Sequence, residues 1–165
     1  KYDYEYERNG TSNLFICFAP LEGWRQVKVT DQRTMIDFAH CMRDLVDVHF
    51  PEAEKIVLVM DNLNTHTLAS LYTAFAPAEA RRIIDKLEIH YTPKHGSWLN
   101  MAEIELSVLH RQCLQARIPD QTTLMDKVAA WQNRRNAGRS TVHWRFTTED
   151  ARIKLHRLYP TINVC

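Results

Sequence analysis

The spacing of hydrophobic and polar residues changes several times along the chain, and each change predicts an element. Tyr2 to Glu7 alternates aromatic and charged residues, and Asn9-Gly10 is a hairpin signal. Leu14 to Phe18 is an unbroken apolar run, which predicts a strand covered on both faces. After a turn at Pro20 to Gly23, Val27 and Val29 alternate with Gln26 and Lys28, the pattern of a strand with one wet face. Thr34 to His49 predicts a helix, with Met35, Phe38, Met42 and Leu45 on one stripe and Pro51 as the stop. Ile56 to Met60 lacks alternation, which predicts a short strand buried on both faces, as in a parallel sheet. Helices are predicted over Leu68 to Phe75 and Ala78 to Lys86, a strand over Leu87 to Tyr91, and a loop over Thr92 to Ser97. A long helix follows from Asn100, its core stripe made by Leu99, Ala102, Leu106, Leu109 and Cys113. Thr122 to Arg135 and Thr148 to Leu158 are the last two predicted helices. Two or three antiparallel strands followed by β-α-β-α predict an α/β fold, a mixed sheet flanked by helices. With no internal repeat or linker, the 165 residues read as one domain, with a basic helical tail over about 120–165.

Composition removes several classes. The chain is 45% hydrophobic with only 4 Gly and 6 Pro, which excludes a collagen-like or disordered chain. Its longest apolar run is six residues, Leu14 to Ala19, far short of a membrane span, and no signal-peptide pattern opens it. Cys17, Cys41, Cys113 and Cys165 are scattered without a CxxC, so neither a disulfide framework nor a zinc knuckle is expected, and a reducing, cytoplasmic setting is. The net charge of +1 hides an asymmetry. Residues 1–103 hold 11 Lys and Arg against 15 Asp and Glu, whereas residues 104–165 hold 10 against 5. Acidic groups followed by a basic tail suit a polyanion held near carboxylates, or an ordinary solvated surface.

Asp61 directly follows the apolar strand Ile56–Met60 and leads into Asn62-Leu63-Asn64-Thr65-His66. Ligands of open α/β sheets bind at the carboxyl ends of strands. A carboxylate there either holds a divalent cation or caps the next helix. The segment Thr92 to Glu103 follows the next strand and emerges on the same edge if the two strands are parallel. Glu103 and Glu105 stand about 200° apart around the predicted helix, so only one can face Asp61. Glu103 is either a ligand or, with Asn100 as N-cap, part of a near capping box. His66 and His95 lie in the two loops, as site residues or as surface histidines. Lys94 either meets a phosphate or is solvated. In the tail, Arg134, Arg135, Arg139, Arg145, Arg152, Lys154 and Arg157 lie among Trp131, Trp144, Phe146 and Tyr159. Such a mixture suits phosphate neutralisation with base stacking, or a helix pair with core aromatics. Trp131 and Trp144 are expected in the core.

These residues resemble a known family. Asp61-Asn62 with His66 is similar to the second acidic motif of the DDE transposases of the mariner-like superfamily. Tyr91-Thr92-Pro93 through Ser97-Trp98-Leu99-Asn100-Met101-Ala102-Glu103 resembles the third, in which an Asn precedes the last catalytic acid by three residues. Tyr4-Glu5-Tyr6, Asn9-Gly10-Thr11 and Trp144-Arg145-Phe146-Thr147 resemble the bacterial insertion-sequence branch. The resemblance implies an RNase H-like fold and metal-dependent DNA strand cleavage and strand transfer, in which water and then a DNA 3′-hydroxyl attacks a phosphodiester. It implies Asp61 and Glu103 as catalytic, metal-holding carboxylates and Mg²⁺ or Mn²⁺ as cofactor, two ions in the complete domain. Asn62, His66, His95 and Asn100 become active-site neighbours, and Lys94, Arg134, Arg135, Arg139 and Arg145 the DNA contacts. Glu105 points away from Asp61 and tolerates substitution. The partners implied are transposon-end and target DNA, with action at the bacterial nucleoid.

Two features depart from the family pattern. The first catalytic Asp belongs on an opening strand upstream of Tyr4–Phe18, so the chain is expected to lack that strand and to form a homodimer or strand-sharing oligomer. Also, 41 residues separate Asp61 from Glu103, an excess that a helix near Pro77–Arg82 absorbs without moving either strand end. The alternatives are a non-catalytic DNA-binding or assembly module using the basic tail, and an unrelated α/β hydrolase or metal enzyme. The absence of GxSxG, GxGxxG and HExxH excludes common forms of the latter.

Overall fold

A computed structural model describes residues 10–93, 100–154 and 156. The Tyr2–Glu7 alternation, Asn9, Leu158 and Cys165 lie outside the described residues. β1 (Asn13–Ala19) and β2 (Trp24–Thr30) pair antiparallel, with Cys17 opposite Gln26 and Ile16 opposite Val27. Their turn ends on Gly23, where φ is +66° and a Cβ would lie 2.5 Å from the Arg139 carbonyl carbon. The left-handed backbone and the close approach both require glycine.

Both faces of this hairpin are packed, as Leu14–Phe18 predicts. Phe15, Cys17 and Trp24 join one core cluster, while Leu14, Ile16, Val27 and Val29 join a second. The wet face expected of β2 is corrected. Gln26 and Lys28 lie over the helix that follows, where Lys28 Nζ sits 2.6 Å from Asp44 Oδ2.

That helix, α1 (Met35–Asp44), begins at a capping box. Thr34 Oγ1 accepts the Asp37 N–H, and the Asp37 carboxylate accepts the Thr34 N–H at 2.8 Å. Its buried stripe is Phe38, Ala39, Cys41 and Met42; wider π-type turns then carry Leu45 and Val46 into the same core before Pro51. β3 (Ile56–Met60) and β4 (Leu87–Tyr91) pair in parallel, joined through α2 (Ala69–Ala74) and α3 (Pro77–Lys86). Met60, Leu71, Ala80, Ile83 and Leu87 build the core with α1. Cover on both faces of β3 does not hold: Val57 is 64% and Val59 51% exposed. The helices form one layer here, and strand residues alternate between faces, so every second side chain stays outside it.

α4 (Met101–Leu109) packs on β1 and continues in π-type turns to Leu114; α5 (Gln121–Ala137) packs on β2. Leu109, Val128 and Trp131 fill the second core with Val27. Trp131 is in the core as expected, its Nε1 donating to Gln112 Oε1. Trp144 is not: it is 40% exposed, lying with Phe146 on the irregular segment between α5 and α6 (Thr148–Lys154).

α5 also completes the outer edge of β2. The Val27 N–H donates to Gln132 Oε1 at 2.7 Å, and the Arg25 N–H to Asn136 Oδ1 at 2.9 Å. Asn136 Nδ2 returns a bond to Arg25 O at 2.9 Å. Four helical residues rise about 6 Å, close to the roughly 6.8 Å between alternate strand residues, so one helix face substitutes for a neighbouring strand.

The architecture is α/β and of the RNase H-like kind. One mixed sheet was expected. Among the described residues there are two two-stranded sheets, β1–β2 and β3–β4. No described strand pairs with both, and side chains join them instead: Phe15, Cys17 and Trp24 meet the cluster of Met60 and Leu87.

Candidate active site

The carboxyl ends of β3 and β4 are tied together beyond the strands. The buried Thr92 donates its N–H to Met60 O at 2.9 Å, and Asn62 Nδ2 donates to Thr92 O at 3.0 Å. Asp61 therefore leaves β3 close to Thr92, the residue that follows β4. The parallel pairing puts the carboxyl ends of both strands on one edge, as expected.

Asp61 Oδ1 lies 2.7 Å from His66 Nδ1. The His66 ring stacks on Phe38, with centroids 4.9 Å apart and planes at 26°, and meets Phe15 at 6.3 Å. Its backbone carbonyl accepts from the Tyr91 hydroxyl at 3.1 Å. With Asp61 ionised, Nδ1 must carry the proton, since a carboxylate only accepts. His66 thus orients one carboxylate oxygen, while the Asp61 side chain stays 41% exposed and reachable by a ligand.

Asn100 caps α4: its Oδ1 accepts the Ala102 N–H, and its carbonyl the Glu103 N–H, both at 3.0 Å. Glu103 stands exposed on the first turn. A carboxylate is favoured at this end of the helix dipole. Lys94 and His95 lie outside the described residues. Arg134, Arg139 and Arg145 are exposed on the tail. Arg135 is corrected: it turns inward, its side chain 17% exposed, and binds Glu105 through Nε at 2.7 Å and Nη2 at 3.2 Å. Its guanidinium also lies over the Trp131 ring. A guanidinium so engaged does not face a phosphate.

Glu105 was expected to point away from Asp61 and to tolerate change. It is fully buried, and its Oε1 also lies 2.8 Å from Nε of the fully buried Arg25. The Arg25 Nε–H is not aimed at that oxygen, so this contact is an ion pair without a formed hydrogen bond. Arg25 is fixed by Nη1 to Gly23 O at 3.0 Å and Nη2 to Ser140 O at 2.6 Å. Burial pulls its guanidinium below the usual arginine range, with Glu105 opposing and Arg135 reinforcing that effect. A local signal existed for the burial of these two residues, though not for their pairing: Arg25 shares the period-2 phase of Val27 and Val29, and Glu105 falls on the inward side of α4.

Other chemistries have little support. Burial pushes the Cys17 thiol up to about 11 and the Cys41 thiol up to about 12, which leaves both protonated and poor nucleophiles. Asp61 and Glu103 instead offer hard carboxylate oxygens, the donor type of Mg²⁺ and Mn²⁺. Among the described residues no three His, Cys, Asp or Glu side chains form a ready metal cluster. No described helix is long and apolar enough to cross a membrane.

Fold and site together define an RNase H-like α/β protein with an exposed, histidine-braced carboxylate, Asp61, at the carboxyl end of a parallel strand pair. Residues 1–125 match the family described as DDE superfamily endonuclease, and the chain belongs to that family. Compared with curated proteins and with solved structures, it matches none. The family is one of transposase-type nucleases, which makes DNA the substrate.

Proposed function

We propose that the chain is the catalytic part of a transposase of the mariner-like superfamily, bacterial insertion-sequence branch, which cuts and joins DNA by phosphoryl transfer. The reading is carried by Asp61, placed at the carboxyl end of β3 beside β4 and braced by the stacked His66. The family match supports it.

Asp61 and Glu103 would hold Mg²⁺ or Mn²⁺. Bound metal supplies a sharpened oxygen nucleophile and charge stabilisation at the leaving oxygen. His66 fixes the Asp61 carboxylate, Asn62 keeps the two strand ends together, and Asn100 sets where α4 begins. Arg134, Arg139 and Arg145, with Lys94, neutralise DNA phosphates. The protein works on transposon ends and target DNA at the bacterial nucleoid, as a homodimer or strand-sharing oligomer.

The test uses the natural gene product. Asp61→Asn and Glu103→Gln each abolish metal-dependent nicking of plasmid DNA while gel-shift affinity stays within a few-fold of wild type. Nicking by Glu103→Gln at the wild-type rate overturns the assignment.

A further inference from the structure

The buried trio Arg25, Glu105 and Arg135 has no part in the chemistry above. It places two guanidinium groups against one carboxylate in the interior. Burying such groups costs several kcal/mol per ion, and apolar replacements of similar shape are often as stable. Stability alone is therefore a weak account of the trio. What it supplies is direction.

Three elements meet at Glu105: β2 through Arg25, α5 through Arg135, and α4 itself. Arg25 cannot follow a shift of α4, because Gly23 O, Ser140 O and Asn136 hold it. Within Met101–Leu109 the other packed side chains are apolar, Leu106, Val108 and Leu109; the bond from Trp131 Nε1 to Gln112 lies in the turns beyond. Apolar burial is non-directional, whereas the two hydrogen bonds from Arg135 to Glu105 fix angle as well as distance, and Arg25 holds the same carboxylate by charge. Glu103 lies about 200° from Glu105 around the helix. Any rotation of α4 that frees Glu105 swings Glu103 by the same angle.

We propose that Glu105 is a positioning residue: through Arg25 and Arg135 it sets the rotation of α4 and so the direction in which Glu103 presents its carboxylate. This rests on the reading of Glu103 as a metal-holding group.

The experiment is a Mn²⁺ titration of the ¹⁵N-labelled natural gene product, read by paramagnetic broadening of amide signals. In the wild type, signals after β3 and at the start of α4 broaden together. Glu103→Gln removes the α4 broadening. Arg135→Gln leaves one Arg against one Glu and is the variant expected to fold well; Glu105→Gln is the harsher form. In both, broadening persists at Asp61, fades over residues 101–104, and the Mn²⁺ midpoint rises about tenfold or more, the usual scale for supporting groups of a metal site. Arg135→Lys recovers part of the shift. Leu106→Ala is the structural control, destabilised with an unmoved midpoint.

If Arg135→Gln loses stability but keeps the wild-type midpoint and α4 broadening, the trio is structural and the proposal fails. If Glu103→Gln leaves broadening and midpoint unchanged, the metal-holding role of Glu103 fails, and the positioning role with it.

Discussion

Arg25 and Glu105, both without solvent exposure, approach to 2.8 Å across the interface between β2 and α4, and Arg135 closes on the same carboxylate from α5. Removing only the carboxylate strands two buried positive charges. Glu105→Gln is expected to lose about 3–5 kcal/mol of folding stability, the range for breaking a buried pair from one side. Replacing all three residues by Met or Leu should cost less than that single change. Urea unfolding of the single and triple variants checks the order; a milder Glu105→Gln contradicts it.

The side-chain bonds that close the β2 edge can be weighed separately. Asn136→Leu strands the Arg25 N–H and carbonyl in a partly buried place. A loss of about 1–3 kcal/mol per stranded group is expected. Gln132→Leu strands the Val27 N–H and should cost less. Amide exchange at Arg25 and Val27 should accelerate in the respective variants, and unchanged exchange would remove the case for a strand-like role of α5.

Acid should act through the helix caps. Hydrogen bonds from Thr34 hold the Asp37 carboxyl below its ordinary value, and bonds from Thr123 do the same for Asp120. A carboxyl depressed in the folded state adds stability above its unfolded pKa of about 3.9 and loses it as pH falls through the lower folded value. Stability should therefore drop below about pH 4. The profile of Asp37→Asn or Asp120→Asn should be flatter there. Urea midpoints measured from neutral pH down into this range decide the matter, and parallel profiles would show that the caps are not responsible.

Salt dependence separates the arginines of the tail. Neutralising the exposed Arg134, Arg139 and Arg145 should weaken duplex binding and lower the slope of log K against log salt by up to about 0.9 per lost phosphate contact. Arg135→Gln should change stability and leave the slope alone, because Arg135 already holds Glu105. A fall in slope with Arg135→Gln would mean that the inward guanidinium is released on DNA.

Much of this was legible from local pattern. The Leu87–Tyr91 strand, the helix opening at Thr34 and the helix beginning after Asn100 follow from periodicity and capping chemistry, which act over a few residues. Asp61 at a strand end was legible for the same reason. The Arg25 trio was not, because Arg25 meets α5 across 111 positions of sequence and no local signal encodes such a pairing. Arg135 looked like one more basic residue of a basic tail; only the approach of Trp131 and Glu105 distinguishes it from Arg134. The exposed Val57 and Val59 defeated the pattern for a related reason: apolar character at successive positions does not reveal how many layers cover a strand.

The amide bonds from Gln132 and Asn136 make the hairpin one-sided. The outer edge of β2 is occupied by a helix that has no ladder of its own to offer, so β1 is the side on which this sheet can grow. Among the described residues a further strand can join this sheet only beside β1, and the sealed β2 edge offers no second site through which the sheet could run on into a fibre.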